Sequence, residues 1–165
     1  MIEIKEASTK TEFKIIEKLA AIILHEVYDP IIPAEHTRYF LEQFQSENAI
    51  ENQIKNDNFK YFLLKHKHTD AGYLGIQKLD KKLILSKLYI LKTFRGLKIG
   101  KKALEHVFQY ATDNSIENIE LIVNQQNQNT IDIYLKNGFK ITESMVNSFP
   151  NGHSVEDYRM EKKLI

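Results

Sequence analysis

The stretch LILSKLYILKTFRGLKIGKKALEHVFQYA, Leu83 to Ala111, decides how this chain folds. It reads as an apolar strand, a short turn rich in glycine and basic residues, and an amphipathic helix. The first N–H groups of a helix have no intrahelical acceptor, and the macrodipole draws negative charge to that end. Arg95, Lys98, Lys101 and Lys102 add positive charge there, while Gly96 and Gly100 let a ligand approach the backbone closely. The expectation is a pyrophosphate site at the helix start. The turn is not a P-loop. Gly96 and Gly100 stand too close together for G-x-x-x-x-G-K-[ST], and Lys102 occupies the Ser/Thr position. A G-x-G-x-x-G fingerprint is absent, so NTPase and dehydrogenase chemistry are both disfavoured.

Working outward toward the N-terminus, Asp80-Lys81-Lys82 turns the chain into this strand. Phe59 to Lys65 and Gly72 to Leu79 read as two strands around a polar 66–70 connection, so three antiparallel strands precede the turn. Ile2 and Ile4 alternate with charges and predict a first strand. Thr9 and Glu12 have capping-box spacing, and a helix follows to about His25 or Val27. Asp29-Pro30-Ile31-Ile32-Pro33 ends it in an apolar loop, either packed over the core or forming a pocket wall. A second helix carries Tyr39, Phe40 and Phe44, and Ser46 caps a short third one. Toward the C-terminus, Asn118 to Val123 reads as a buried strand parallel to the one before the turn, as in a βαβ unit. A short helix with Ile131, Tyr134 and Leu135 ends at Asn137-Gly138. Phe139 to Val146 and Tyr158 to Ile165 are the last two strands.

The 165 residues, with nine Phe and eight Tyr, suffice for one cored domain over 1–165. A net charge of +1 argues against a dedicated nucleic-acid binder. The absence of cysteine excludes disulfides, thiolate metal sites and a Cys nucleophile, and fits a reducing compartment. There is no apolar run of about 18 residues, and the charged, alternating start MIEIKEAS is neither a signal peptide nor an anchor, so a cytoplasmic protein without membrane contact is expected. His66 and His68 lack a third ligand at a telling distance, and no metal site is expected.

A second motif identifies the phosphate-bearing ligand. Val123-Asn124-x-x-Asn127-x-x-Thr130-Ile131-x-Ile133-Tyr134-x-Lys136-x-Gly138-Phe139 follows the helix. Together with L-Y-I-x-x-x-x-R-G-x-x-I-G-K at 88–101, it resembles the GCN5-related N-acetyltransferases, the GNAT family. The resemblance is sharp over 83 to 140 and loose over the whole chain. It implies an α+β (mixed α/β) acyl-CoA N-acyltransferase fold. That fold has a central, mostly antiparallel sheet of six to seven strands flanked by helices, with a parallel βαβ pair around the CoA site.

The resemblance also implies an enzyme with acetyl-CoA as co-substrate, its pyrophosphate wrapped by Arg95, Gly96, Leu97, Lys98, Ile99 and Gly100, with Lys101 beside them. Lys98 replaces a family glycine; its N–H still donates if its φ is negative, and its side chain adds charge. Leu88, Tyr89 and Ile90 would pair with the pantetheine, Asn127 would contact the cofactor, Lys136 shares the second motif, and Tyr134 would sit near the sulfur as general acid. The chemistry asks for such parts independently. An alkylamine is protonated at neutral pH and must lose a proton before attack, the tetrahedral oxyanion needs a fixed donor, and without cysteine direct attack by the amine is favoured.

The acceptor side would be built from the first helices and the 28–36 and 147–157 loops. Tyr28 and Asp29 are its candidate residues, with Tyr39, Phe40, Glu35 and Glu42 nearby in sequence. The S-F-x-x-G loop at 148–152 is similar to PaiA-type polyamine acetyltransferases, which implies a small-molecule amine acceptor, and a homodimer is in keeping with the family. The general base stays open among His25, Glu26, Asp29, His36, His153, Asp157 and a water chain. The alternatives are acetylation of a protein or peptide amine, a non-catalytic acyl-CoA-binding domain, and a nucleotide-binding adaptor.

Overall fold

The computed structural model describes residues 1–148 and 152–165; Phe149, Pro150 and Asn151 of the expected S-F-x-x-G loop lie outside the described residues. The elements follow as β1 (Ile2–Glu6), α1 (Lys10–Tyr28), α2 (Ala34–Phe44), α3 (Glu47–Asn56), β2 (Phe59–His66), β3 (Thr69–Leu79) and β4 (Lys82–Ile90). A 3-10 turn (Lys92–Phe94) leads to α4 (Ile99–Asp113), β5 (Asn118–Asn124), α5 (Gln128–Lys136), β6 (Lys140–Ser148) and β7 (Ser154–Lys163). One sheet takes the order β1-β2-β3-β4-β5-β7-β6. Among the described residues only the β4–β5 pair is parallel; the others are antiparallel.

Helices cover both faces. On one, Ile16, Ala20, Ile23 and Leu24 of α1 and Ile50 of α3 pack on Tyr61, Leu63 and Tyr73. On the other, Ile99, Ala103, Val107 and Ala111 of α4 and Ile131 of α5 pack on Leu74, Leu83, Leu121 and Met160. Each of the buried Ile, Leu, Val and Met side chains contributes about 1.5–3 kcal/mol by leaving water.

Local chemistry sets the ends. The Thr9 hydroxyl accepts from the Glu12 N–H while the Glu12 carboxylate accepts from the Thr9 N–H, the expected capping box. Ser46 caps α3 through the Ala49 N–H. Helix α1 extends to Tyr28, where the Ile31 and Ile32 N–H groups both donate to the Tyr28 carbonyl, so the apolar loop coils onto the helix end. The β2–β3 connection is tighter than expected. Lys67 and His68, at φ 49° and 67°, close it, and Thr69 and Asp70 belong to β3. Strand β7 starts at Ser154 rather than Tyr158, because its polar first residues pair with β6.

Two irregularities shape the centre. Gly75 pairs with Lys87 and Ile76 with Leu85, which leaves Ser86 as a β-bulge. Alternation therefore shifts by one. Leu83 and Leu85 lie in the α4-side core, and beyond the bulge Leu88 and Ile90 pack there, while Tyr89 and Leu91 face α1. The parallel ladder joins only Lys82–Ile84 to Asn118–Glu120. Beyond it, β4 continues to Ile90 and β5 to Asn124, each with an edge unpaired toward the other. A bulge beside the last paired residue adds the local twist that parts two strands.

Candidate active site

The parted edges make a notch whose two sides differ, Ile90 facing one and Tyr89 the other. On one side stands the start of α4. Ile99 is buried and seats the helix. A Cβ placed on Gly100 would come 3.4 Å from Ile90 Cδ1, so the helix start lies against the tip of β4. The Arg95 Nε–H donates to the Ile90 carbonyl at 3.2 Å and ties the turn to the same tip. Unlike α1 and α3, this helix has no side-chain cap, and its first intrahelical donor is the Lys102 N–H to the Lys98 carbonyl. The N–H groups of Ile99, Gly100 and Lys101 therefore have no acceptor within the helix. Gly96 has φ 80° with open space around it. Among the described residues no acid pairs with Lys98 or Lys101, whereas Lys102 reaches Glu105 at 3.7 Å.

Lys98 departs from expectation. Its φ is +68°, not negative, which places a lysine in the left-handed conformation that glycine adopts freely. It takes the family glycine's shape at some cost in strain, and its side chain is exposed.

The α1 side gathers tyrosines, with Tyr134 across the notch. Tyr28, the last residue of α1, shares a side-chain hydrogen bond with Tyr89 of β4. Tyr73 lies beside Tyr89, ring centroids 5.7 Å apart. Tyr134 of α5 packs edge-on to Phe139 at 5.4 Å and is 7% exposed. Its hydroxyl makes no hydrogen bond among the described residues, yet it is not among the sealed, unpartnered atoms, so solvent reaches it. Burial pushes the Tyr134 hydroxyl well above its ordinary range, with the nearby Tyr28 adding to the effect. Burial likewise raises Tyr28, with the charge of Asp157 acting in the same direction and the Tyr89 bond against it. These phenols hold their protons throughout the neutral range.

The expected site residues thus fall into groups. Leu88, Tyr89 and Ile90 lie on the free β4 edge, continuous with Arg95 to Lys101 through the contacts at Ile90. Asn127 sits at the N-cap of α5 without capping it, which leaves its amide uncommitted among the described residues. Lys136 is exposed in the last turn of α5. Tyr28 meets Tyr89, but the Asp29 carboxylate is engaged elsewhere, 2.9 Å from His25 Nδ1. The rings of His36 and His153 are 4.5 Å apart and join α2 to the strand-connecting loop before β7. Among the described residues no cluster of three His, Asp or Glu is arranged for a metal, and no helix is long and apolar enough to cross a membrane.

These residues fit a CoA thioester. A strand edge offers amides to a pantetheine, and an uncapped helix start offers them to a pyrophosphate. The model of the GNAT acetyltransferase family matches residues 23–139. The chain belongs to the GNAT acetyltransferase family. It is an acetyl-CoA-dependent N-acetyltransferase. An uncharacterised N-acetyltransferase of Mycobacterium tuberculosis is 28% identical over 138 residues, 82% of this chain and 87% of that protein. In fold, the chain is similar to the PaiA N-acetyltransferase of Thermoplasma acidophilum in complex with coenzyme A, at TM-score 0.82 and 22% identity over 99% of each chain. It is also similar to a chimera of the spermidine N-acetyltransferase SpeG from Vibrio cholerae, at TM-score 0.73 and 15% identity over 98% of this chain and 94% of the other.

Proposed function

We propose that residues 1–165 act as one cytoplasmic domain that moves an acetyl group to a primary amine of a small, polyamine-like molecule within a ternary complex. The observation that carries this reading is the asymmetry of the notch. Exposed cations and an uncapped helix start lie on one side, and buried phenols around an acid lie on the other. One side suits a pyrophosphate, the other an alkylammonium.

Bound there, acetyl-CoA supplies an activated acetyl thioester. The Arg95–Lys101 backbone and the Lys98 and Lys101 charges hold the phosphates, the edge of Leu88 to Ile90 orients the pantetheine, and Asn127 and Lys136 contact the cofactor from α5. A backbone N–H of the β4 edge steadies the thioester oxygen as negative charge grows on it. Tyr134 keeps a proton at its hydroxyl for the departing sulfur, and its raised pKa keeps that proton in place until charge develops. Tyr28 lines the acceptor side, while Asp29 at the same helix end is held by His25. The spermidine enzyme among the structural neighbours supports a polyamine as acceptor.

The test is thiol release from acetyl-CoA against polyamines, amino acids, aminoglycosides and peptides, with wild type and Tyr134→Phe. The expectation is preferred turnover of a polyamine. Loss of the hydroxyl should lower kcat about 100-fold or more while the Kd for acetyl-CoA stays put. Turnover of peptides alone would sink the acceptor assignment, and an unchanged kcat in the variant would sink the role of Tyr134.

A further inference from the structure

Asp157 stands in β7 directly across from Asn124, the last residue of the free β5 edge. It is 8% exposed. Buried carboxylates are held by partners, usually cations. Asp157 has one neutral partner, the Asn147 side-chain amide, which donates to Oδ2 at 2.6 Å. Arg159, two residues on, turns away to Glu143 at 2.6 Å. Among the described residues no cation pairs with Asp157, and Oδ1 accepts no hydrogen bond, yet it is not sealed.

The position is braced. The Gln125 side chain donates to the Asp157 carbonyl at 3.2 Å, and the Gln125 backbone N–H donates to the Glu156 carbonyl at 3.0 Å. The side chain lies close enough to Tyr28 for its charge to act on that hydroxyl, and Tyr28 is bonded to Tyr89 on the facing strand edge. A fixed, buried acid with one oxygen free and no internal cation is uncompensated in the protein alone, and a cationic ligand would compensate it. Phenol rings beside it add the electron-rich faces that favour organic ammonium groups.

We propose that Asp157 binds the acceptor, its Oδ1 receiving the primary alkylammonium that is to be acetylated, with Tyr28 and Tyr89 flanking it. This rests on the amine-acetyltransferase reading and names its recognition element. The discrimination is by charge: an alkylammonium is taken, and an alcohol of equal shape is not.

The test is Asp157→Asn, which keeps the shape and can still accept from Asn147 through its amide oxygen. With spermidine, KM should rise about 10- to 100-fold, the span of a lost charge-assisted hydrogen bond, while the Kd for acetyl-CoA stays within about twofold. A purely structural role would disturb both. Calorimetry on the wild-type CoA complex gives a second, activity-free measurement. An N,N,N′,N′-tetramethylated diamine, which is cationic and has no amine N–H to acetylate, should bind at least tenfold tighter than the diol of the same length, and Asp157→Asn should abolish that preference. Equal binding of diamine and diol to wild type, or an unchanged KM in the variant, overturns the proposal, and the wild-type comparison stands even if the variant fails to fold. Wild-type enzyme that turns over no small amine but prefers the diamine would defeat the functional reading and leave Asp157 as a cation site.

Discussion

Lys98 separates backbone from charge at the turn proposed to hold the phosphates. At φ +68° it occupies a conformation that costs a non-glycine residue about 1–2 kcal/mol. Lys98→Gly releases that strain, while glycine's greater freedom in the unfolded chain takes back roughly 0.5–1 kcal/mol. The net gain is about 0.5–1 kcal/mol, a rise in Tm of about 1–4 °C for a chain of this size. The exposed ammonium is a separate quantity. Near a bound phosphate and in contact with water it is worth about 1 kcal/mol, roughly a fivefold change in Kd, and salt screens it. Lys98→Ala removes the charge and keeps the strain, so it lowers acetyl-CoA affinity at low salt with little change in Tm. The assays are thermal unfolding of both variants and calorimetric titration with acetyl-CoA at low and high salt. A Tm for Lys98→Gly clearly below wild type would refute the strain argument. Equal Kd values for wild type and both variants at low salt would show that only the backbone binds.

Three further outcomes follow from the packing. A Cβ on Gly72 would run into the Tyr89 carbonyl oxygen, so Gly72→Ala should cost about 3 kcal/mol in denaturant unfolding and weaken acetyl-CoA binding by shifting the β4 edge. Gln45 accepts from the Tyr73 hydroxyl at 2.5 Å and donates to the Tyr61 hydroxyl at 3.1 Å; Gln45→Leu orphans the first and should cost about 2–3 kcal/mol by the same measurement. Hydrogen bonds from Ser8 above all, with Lys5 and Thr9 helping, hold Glu12 at about 2, below its ordinary 4.5. A lowered carboxyl stabilises the fold above its unfolded value, so about 2 kcal/mol should be lost as pH falls from 4.5 to about 2, a slope that Glu12→Gln removes in acid titration followed by circular dichroism.

What the sequence disclosed is what depends on neighbours along the chain. The Thr9–Glu12 cap, the Ser46 cap and the helical spacing of Ile16, Ala20 and Ile23 are local, and each appears where its pattern predicts. The glycine- and lysine-containing turn before α4 and the α5 helix that carries Tyr134 are legible as motifs. The rest depends on pairing between distant residues. The Ser86 bulge follows from register with β3, and no local signal marks it. Asp157 looked like a loop residue because Ser154 to Asp157 are mostly polar; only its pairing with Asn124 on one side and Met145 on the other makes it part of a strand. Tyr28 and Tyr89 are far apart in sequence, and their hydrogen bond is a product of the fold. For Lys98, residue type argued against a left-handed turn, and the demand of the helix start overrode it.

The bulge at Ser86 also bears on which changes the site can absorb. Replacing that residue alters one side chain. Deleting it would leave the flanking side chains on their present faces, because Leu85, Lys87, Leu88, Tyr89 and Ile90 would then alternate regularly. What would go is the extra local twist, and with it the reason β4 leaves β5 after Ile84. A shortened β4 would be free to pair on along β5 and close the notch, so residue 86 works by its presence, and its side chain is free to vary.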